Sequence, residues 1–146
     1  MRIQDIMSGS PETVTPDTSL AEAAKLMKDR DVGMLPVVDG DGSRKLVGVV
    51  TDRDITIRHV AENHPPGCKV REAMTDSVAT CTVSDSVDDV MELMGREQVR
   101  RVPIVDERGD LIGVVSQADI VLQGSSDDEA EETVEKISRP SGKHSG

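Results

Sequence analysis

Apolar residues fall along this chain in two rhythms, and each rhythm occurs twice. Leu20, Ala23, Ala24 and Met27 stand at i, i+3, i+4 and i+7, which predicts one buried helix face. Ser19 with Glu22 three residues later makes a capping box at its start. Val87, Val90, Met91 and Met94 repeat the stripe, opened by Ser86 and Asp89. After each helix the period changes. The runs Met34 to Val38 and Leu46 to Thr51, then Arg101 to Val105 and Leu111 to Ser116, are short and continuously apolar, as in strands buried on both faces. A second helix is predicted after each pair, over Asp52 to Glu62 and Gln117 to Gln123. A β-branched segment around Glu12 to Thr15 precedes the first helix, so each copy reads strand, helix, strand, strand, helix.

The recurrence extends to individual residues. Leu35-Pro36-Val37-Val38-Asp39 and Gly48-Val49-Val50-Thr51-Asp52-Arg53-Asp54-Ile55 return as Val102-Pro103-Ile104-Val105-Asp106 and Gly113-Val114-Val115-Ser116-Gln117-Ala118-Asp119-Ile120. The interval from Pro36 to Pro103 equals that from Met7 to Met74, while Gly48 to Gly113 is two residues shorter, so the first copy has the longer turn. A half that cannot bury its apolar face alone can bury it against its copy, and two related clefts then arise where the copies meet. Asn63-His64-Pro65-Pro66-Gly67 interrupts the pattern. The expected organisation is a first repeat over 1–62, a linker over 63–69, a second repeat over 70–123 and an acidic tail over 124–146. In that tail Ser126-Asp127-Asp128-Glu129 could cap a helix running to about Ile137, at the surface or docked on a partner subunit. The fold class expected is α/β in the broad sense (α+β): two tandem β-α-β-β-α repeats packed by pseudo-two-fold symmetry through their sheets.

Composition narrows the function. With 146 residues the chain can bury a substantial core, and its formal charge of −11 argues against nucleic acid or an anionic membrane as partner. No apolar run reaches the length of a membrane span, and Met1-Arg2-Ile3-Gln4-Asp5 opens no signal peptide, so a cytoplasmic protein is expected. Cys68 and Cys81 are too few for a disulfide scaffold and are expected as free thiols. The chain contains no Phe, Tyr or Trp. Its core must therefore be aliphatic, a planar ligand would lie between aliphatic side chains, and a bound purine would dominate the near-ultraviolet absorbance.

The strongest local signal is Gly48-x-x-Thr51-x-x-Asp54 with its counterpart Gly113-x-x-Ser116-x-x-Asp119. Each falls where a buried strand ends and a helix begins. Hydroxyl and carboxylate three residues apart form a variant of the capping box, which needs no ligand. The same geometry can seat one. Backbone N–H groups at a helix start attract a phosphate or polar oxygen, and a carboxylate one turn in can accept from both hydroxyls of a ribose. Glycine at the strand's start lets a ligand or the other copy approach closely. Two occurrences in matching contexts favour the ligand.

Taken together, the h-P-V/I-V-D and G-h-h-[TS]-x-x-D residues in β-α-β-β-α order resemble the cystathionine β-synthase (CBS) domain. Two in tandem resemble the Bateman module, over residues 1 to about 123, and the whole chain resembles small stand-alone bacterial CBS-pair proteins. The resemblance implies a regulatory module, with no required cofactor, that binds AMP, ADP, ATP or S-adenosylmethionine, and a homodimer of disc-like form. It also implies that each cleft draws on both repeats. One would combine Thr51 and Asp54 with the strand Thr80 to Thr82 and with Val99, Arg100 and Arg101. The other would combine Ser116 and Asp119 with Val14, Thr15, Val32, Gly33 and Met34. Arg100 and Arg101 suit phosphate, whereas Gly33 and Met34 carry no charge, so the first cleft is expected to prefer a phosphorylated nucleotide. A solvated pair that relieves local negative charge would also account for the arginines. Arg53 faces either phosphate or solvent.

Weaker constellations are present as well. His59, His64 and Cys68 could hold a soft metal such as zinc, but residues straddling a helix end and a Pro-Pro linker are more often solvent-facing, and no metal site is assigned. Asp39-Gly40-Asp41-Gly42 echoes a calcium loop without its later Glu and reads as a hairpin turn. No nucleophile–base pair, phosphate-cradling glycine loop or paired carboxylates suggest an enzyme. The expected function is sensing or buffering of an adenine nucleotide, relayed through the dimer or to an effector protein. The alternatives are a ligand-free interaction module and a metal- or redox-responsive protein using His59, His64, Cys68 or Cys81.

Overall fold

The computed structural model describes residues 2–40 and 42–123; the predicted tail helix lies outside them. The fold is α+β. The described residues form two compact units, one spanning residues 12–78 and the other joining residues 2–11 to residues 79–123.

In the 12–78 unit, helix α2 (Leu20–Arg30) starts where the Ser19 hydroxyl accepts from the Glu22 amide at 3.1 Å; only this half of the expected box is made. Leu20, Ala23 and Met27 are buried with Leu26 half-buried beside them, while Ala24 is exposed, so the stripe is turned slightly from the predicted one. Strands β2 (Met34–Val38) and β3 (Leu46–Thr51) pair antiparallel, with Met34 opposite Thr51 and a register shift at Val37/Val38. The loop with Gly40 and Gly42, both at positive φ, is the hairpin turn between them. The unit's core is Val14, Leu20, Ala23, Met27, Leu35, Val37, Val50, Cys68, Val70 and Ala73. Its counterpart has α4 (Val87–Glu97) with a complete Ser86–Asp89 capping box, and β4 (Arg101–Val105) antiparallel to β5 (Leu111–Ser116) with the matching shift at Ile104/Val105. Helix α5 (Gln117–Gln123) follows. Both α2 and α4 end on a non-glycine residue in the left-handed region, Asp31 and Gln98.

Two elements differ from expectation. The leading strands shrink to single parallel bridges, Val14 to Val37 and Cys81 to Ile104. The next ladder bond after Val14 would come from residue 16, which is Pro16 and has no N–H; the intervening amides go to side chains, Thr15 N–H to the Thr18 hydroxyl at 3.0 Å and Thr82 N–H to Asp85 at 2.8 Å. The helix expected over Asp52 to Glu62 is one α-helical turn, α3 (Asp52–Ile55), continued by a π-helix over Thr56–Val60. There the Thr56 hydroxyl competes for the Asp52 carbonyl at 3.0 Å, and Ala61 N–H reaches back to Thr56 at 2.8 Å.

The repeats along the sequence and the units in space are offset. The start of the second repeat, through the 3-10 turn Val70–Glu72, packs in the 12–78 unit: Val70 N–H donates to Thr18 O at 2.8 Å, and Val49 and Thr75 exchange bonds of 2.9 and 2.8 Å. Symmetrically, the start of the first repeat packs with the second. Helix α1 (Ile3–Ile6) places Ile3 and Ile6 in a core with Val90, Met94 and Ile120, and β1 (Ser8–Gly9) pairs with β5, Ser8 opposite Val114. The glycines at the third position of β3 and β5, Gly48 and Gly113, admit these segments. A Cβ on Gly48 would lie 2.5 Å from the Thr75 carbonyl oxygen, and one on Gly113 would lie 2.6 Å from Met7 Sδ and 3.0 Å from Ser8 O. The close approach anticipated at these glycines is thus made by the other repeat's leading segment.

Gly48→Ala forces backbone apart and is expected to cost roughly 1–3 kcal/mol. Gly9→Ala, with nothing within 4 Å of the added carbon, is expected to stay within about 0.5 kcal/mol of the parent. Urea unfolding followed by far-ultraviolet circular dichroism compares them; equal midpoints would contradict the assignment.

Candidate functional site

Each unit carries one hydroxyl–carboxylate corner at the turn from its last strand into the following helix. Thr51 is the one buried polar residue among those described, and its Oγ1 accepts from the Asp54 amide at 3.0 Å while Asp54 Oδ2 accepts from Thr51 N–H at 3.0 Å. Ser116 and Asp119 repeat the arrangement at 3.1 and 3.2 Å. Both corners are therefore complete capping boxes, and in both the bond from the cap amide goes to Oδ2, leaving Oδ1 for another partner.

The corners are tied to the loop before the first hairpin strand of their own repeat. Asp52 N–H donates to Gly33 O at 2.9 Å, and Gln117 N–H donates to Arg100 O at 2.7 Å. The strand registers continue the link, with Met34 opposite Thr51 and Arg101 opposite Ser116. So within the 12–78 unit Thr51 and Asp54 stand with half-buried Val32 and Gly33 and buried Met34, while half-buried Thr15 lies at the other end of β2, against Gly40. In the other unit Ser116 and Asp119 stand with Val99, exposed Arg100 and half-buried Arg101, whereas the resemblance implied these three beside Thr51 and Asp54; Thr80 and Thr82 flank Cys81, which bridges Ile104 farther along β4. The Thr82 hydroxyl is 2.8 Å from that of Ser84, and the Thr15 hydroxyl is 3.3 Å from that of Thr18.

Arg58 was not singled out in the sequence. Its guanidinium lies 3.9 Å from Asp54 Oδ1 and donates to the Ala73 and Met74 carbonyls at 3.2 and 3.1 Å. It thereby joins the corner to the segment that pairs with β3. The signal was present as an i, i+4 acid–base pair on one helix face. The corresponding position in the second repeat is Gln123.

The two cysteines are free thiols. Burial, reinforced by the Asp85 carboxylate, pushes Cys81 from 9.0 up to about 11. Burial likewise raises Cys68, with the Glu72 carboxylate beside it, while the Lys69 backbone amide holds Glu72 below the usual carboxylate range. His59, half-buried, and His64, exposed, were expected to face solvent along with Cys68; instead a donor atom of each of the three lies within 4.8 Å of the others, and Cys68 is buried. No helix among the described residues is long and apolar enough to cross a membrane.

The CBS domain family model matches residues 3–59 and 70–124. Hypoxic response protein 1 of Mycobacterium tuberculosis is 36% identical over 118 residues, 80% of either chain. A crystal structure of Hypoxic Response Protein I with two coordinated zinc ions superposes with a TM-score of 0.75 at 32% identity, covering 84% of this chain and 98% of that one. CBSX2 in complex with AMP gives 0.74 at 29% identity, covering 84% and 95%. The CBS domain pair of MJ0100 in complex with 5′-methylthioadenosine and S-adenosyl-L-methionine gives 0.74 at 33%, covering 84% and 98%.

A thiol whose proton is held more tightly in the fold than in the open chain contributes stability that is complete below pH 9.0 and lost as pH rises through about 11. Alkylation of Cys81 by iodoacetamide, read by peptide mass, is accordingly expected to be slow at neutral pH and to accelerate only toward pH 11. A rate at neutral pH equal to that of an exposed cysteine would overturn this.

Proposed function

The chain belongs to the CBS domain family, and we propose that it is a regulatory CBS pair that binds an adenosine-containing ligand. The observation that carries this reading is the doubled corner. Thr51 with Asp54 and Ser116 with Asp119 present the same hydroxyl and carboxylate at the same strand-to-helix turn, each with Oδ2 committed to the cap, so that Oδ1, which at Asp54 also faces Arg58 at 3.9 Å, is the oxygen proposed to receive a ribose hydroxyl. The adenosine compounds held by CBSX2 and the MJ0100 pair support the ligand class. Arg100 and Arg101 are the residues proposed to favour a phosphorylated ligand, because a planar guanidinium matches phosphate oxygens in pairs. Val32 and Met34 offer aliphatic surface to a purine.

Occupancy is proposed to be relayed through a homodimer or an effector protein. Exposed apolar side chains on the second helical segment of each repeat, Ile57, Val60, Val121 and Leu122, are the surface such a partner would cover. The mechanism is linkage: ligand stabilises the arrangement that binds it better, and the partner reads that shift.

Calorimetric titration of the full chain with AMP and adenosine tests the reading. Asp54→Ala is expected to weaken binding about ten- to hundredfold, corresponding to a charge-assisted contact of roughly 1.5–3 kcal/mol. Arg101→Ala is expected to weaken AMP but not adenosine. Parental affinity in Asp54→Ala would reduce its carboxylate to a helix cap. No heat with either ligand would leave a ligand-free interaction module.

A further inference from the structure

Beyond the adenosine corners, the structure assigns a second binding site: we propose that His59, His64 and Cys68 bind one zinc-class divalent cation. Two imidazoles and a thiolate are the donor set that such borderline ions select over magnesium or calcium, which require oxygen.

The backbone brings the three together across a break in the helical pattern. His59 lies in the π-helix, and His64 N–H donates to the His59 carbonyl at 3.1 Å, which closes the chain back on itself. Asn63, at φ 56°, and Gly67, at φ 98°, make the two reversals that bracket His64 and the prolines. Cys68 is then held by its carbonyl, which accepts from Leu20 N–H at 2.9 Å. A tetrahedral ion with bonds of about 2.0–2.3 Å keeps its ligands roughly 3.3–3.6 Å apart. Donors already within 4.8 Å need only side-chain rotation to reach that spacing.

A second observation points to a bound group. His59 Nδ1 is the one buried side-chain nitrogen or oxygen, among the described residues, without a hydrogen-bond partner. The edge-on contact between the His59 and His64 rings, 6.0 Å between centroids at 71°, packs the rings but supplies no partner for that nitrogen. Buried polar atoms are rarely left unpaired, and an ion on the imidazole pair would make use of rings the fold already orients. On binding, the Cys68 S–H bond breaks, its proton passes to solvent and a metal–sulfur bond forms. Three protein donors leave a fourth position for water. The ion would clamp the end of the π-helix to the segment that leads into Val70 and the Thr75 pairing.

Cobalt titration of the reduced full chain reads the site directly, since a protein without Phe, Tyr or Trp leaves the near ultraviolet clear. The expected result is a thiolate-to-cobalt charge-transfer band with intense visible bands, saturating at one ion per chain and displaced by zinc. Cys68→Ser is expected to abolish the charge-transfer band and Cys81→Ser to leave it. His64→Ala, at an exposed position that folding does not depend on, is expected to weaken cobalt binding about tenfold or more and to remove the rise in thermal midpoint caused by zinc. Absence of the band in the parent, its persistence in Cys68→Ser, or unchanged cobalt affinity in His64→Ala would overturn the assignment.

Discussion

Two backbones can approach the third position of β3 and β5 only because no side chain stands there. At Gly48 the Thr75 carbonyl fills the space a Cβ would take, and at Gly113 Met7 and Ser8 do so. These contacts carry the leading segment of each repeat onto the sheet of the other, where it covers a strand that would otherwise expose unpaired amides and carbonyls. The apolar side chains travel with the segments: Val70 and Ala73 enter one core, Ile3 and Ile6 the other. Neither repeat completes its hydrophobic cluster from its own residues, which is the physical reason for a tandem pair.

The same pairing positions the corners. Val49 is bonded in both directions to Thr75, and Thr51 follows two residues later on the same strand. Arg58 then reaches from the helix to the Ala73 and Met74 carbonyls while facing Asp54. The second repeat has Gln123 at the matching place, and it presents Arg100 and Arg101 where the first presents Gly33 and Met34. Duplication gave two corners of one design; substitution gave them different charge surroundings.

Much of this was readable from the sequence because it is local. The four main strands have the bounds their apolar runs predict, since a continuous run of Val, Ile and Leu bounded by turn residues has few other uses. The corners were legible as Thr or Ser before Asp at capping spacing. What escaped depends on who takes a given amide or where a turn points. The first leading strand stops at Val14 because Pro16 has no N–H for the next ladder bond, and in both repeats the adjoining amide turns onto a side chain, Thr18 or Asp85, which periodicity does not register. Ala24 faces out because the stripe turns toward Leu26. His59, His64 and Cys68 converge through two left-handed residues in a linker, and side-chain spacing along the chain does not predict that. At Gly48 the sequence left open whether a ligand or the other copy comes close; the contact with Thr75 is the copy's.

The claim on which the rest depends is that each sheet is held by the other repeat's leading segment. Hydrogen exchange on Ile3→Ala/Ile6→Ala, under conditions where circular dichroism shows the variant folded, tests it most directly. The account predicts faster exchange across Leu111–Ser116, with Leu46–Thr51, which is covered by Thr75 instead, keeping its protection. Unchanged protection in Leu111–Ser116, or an equal loss in both strands, would contradict it.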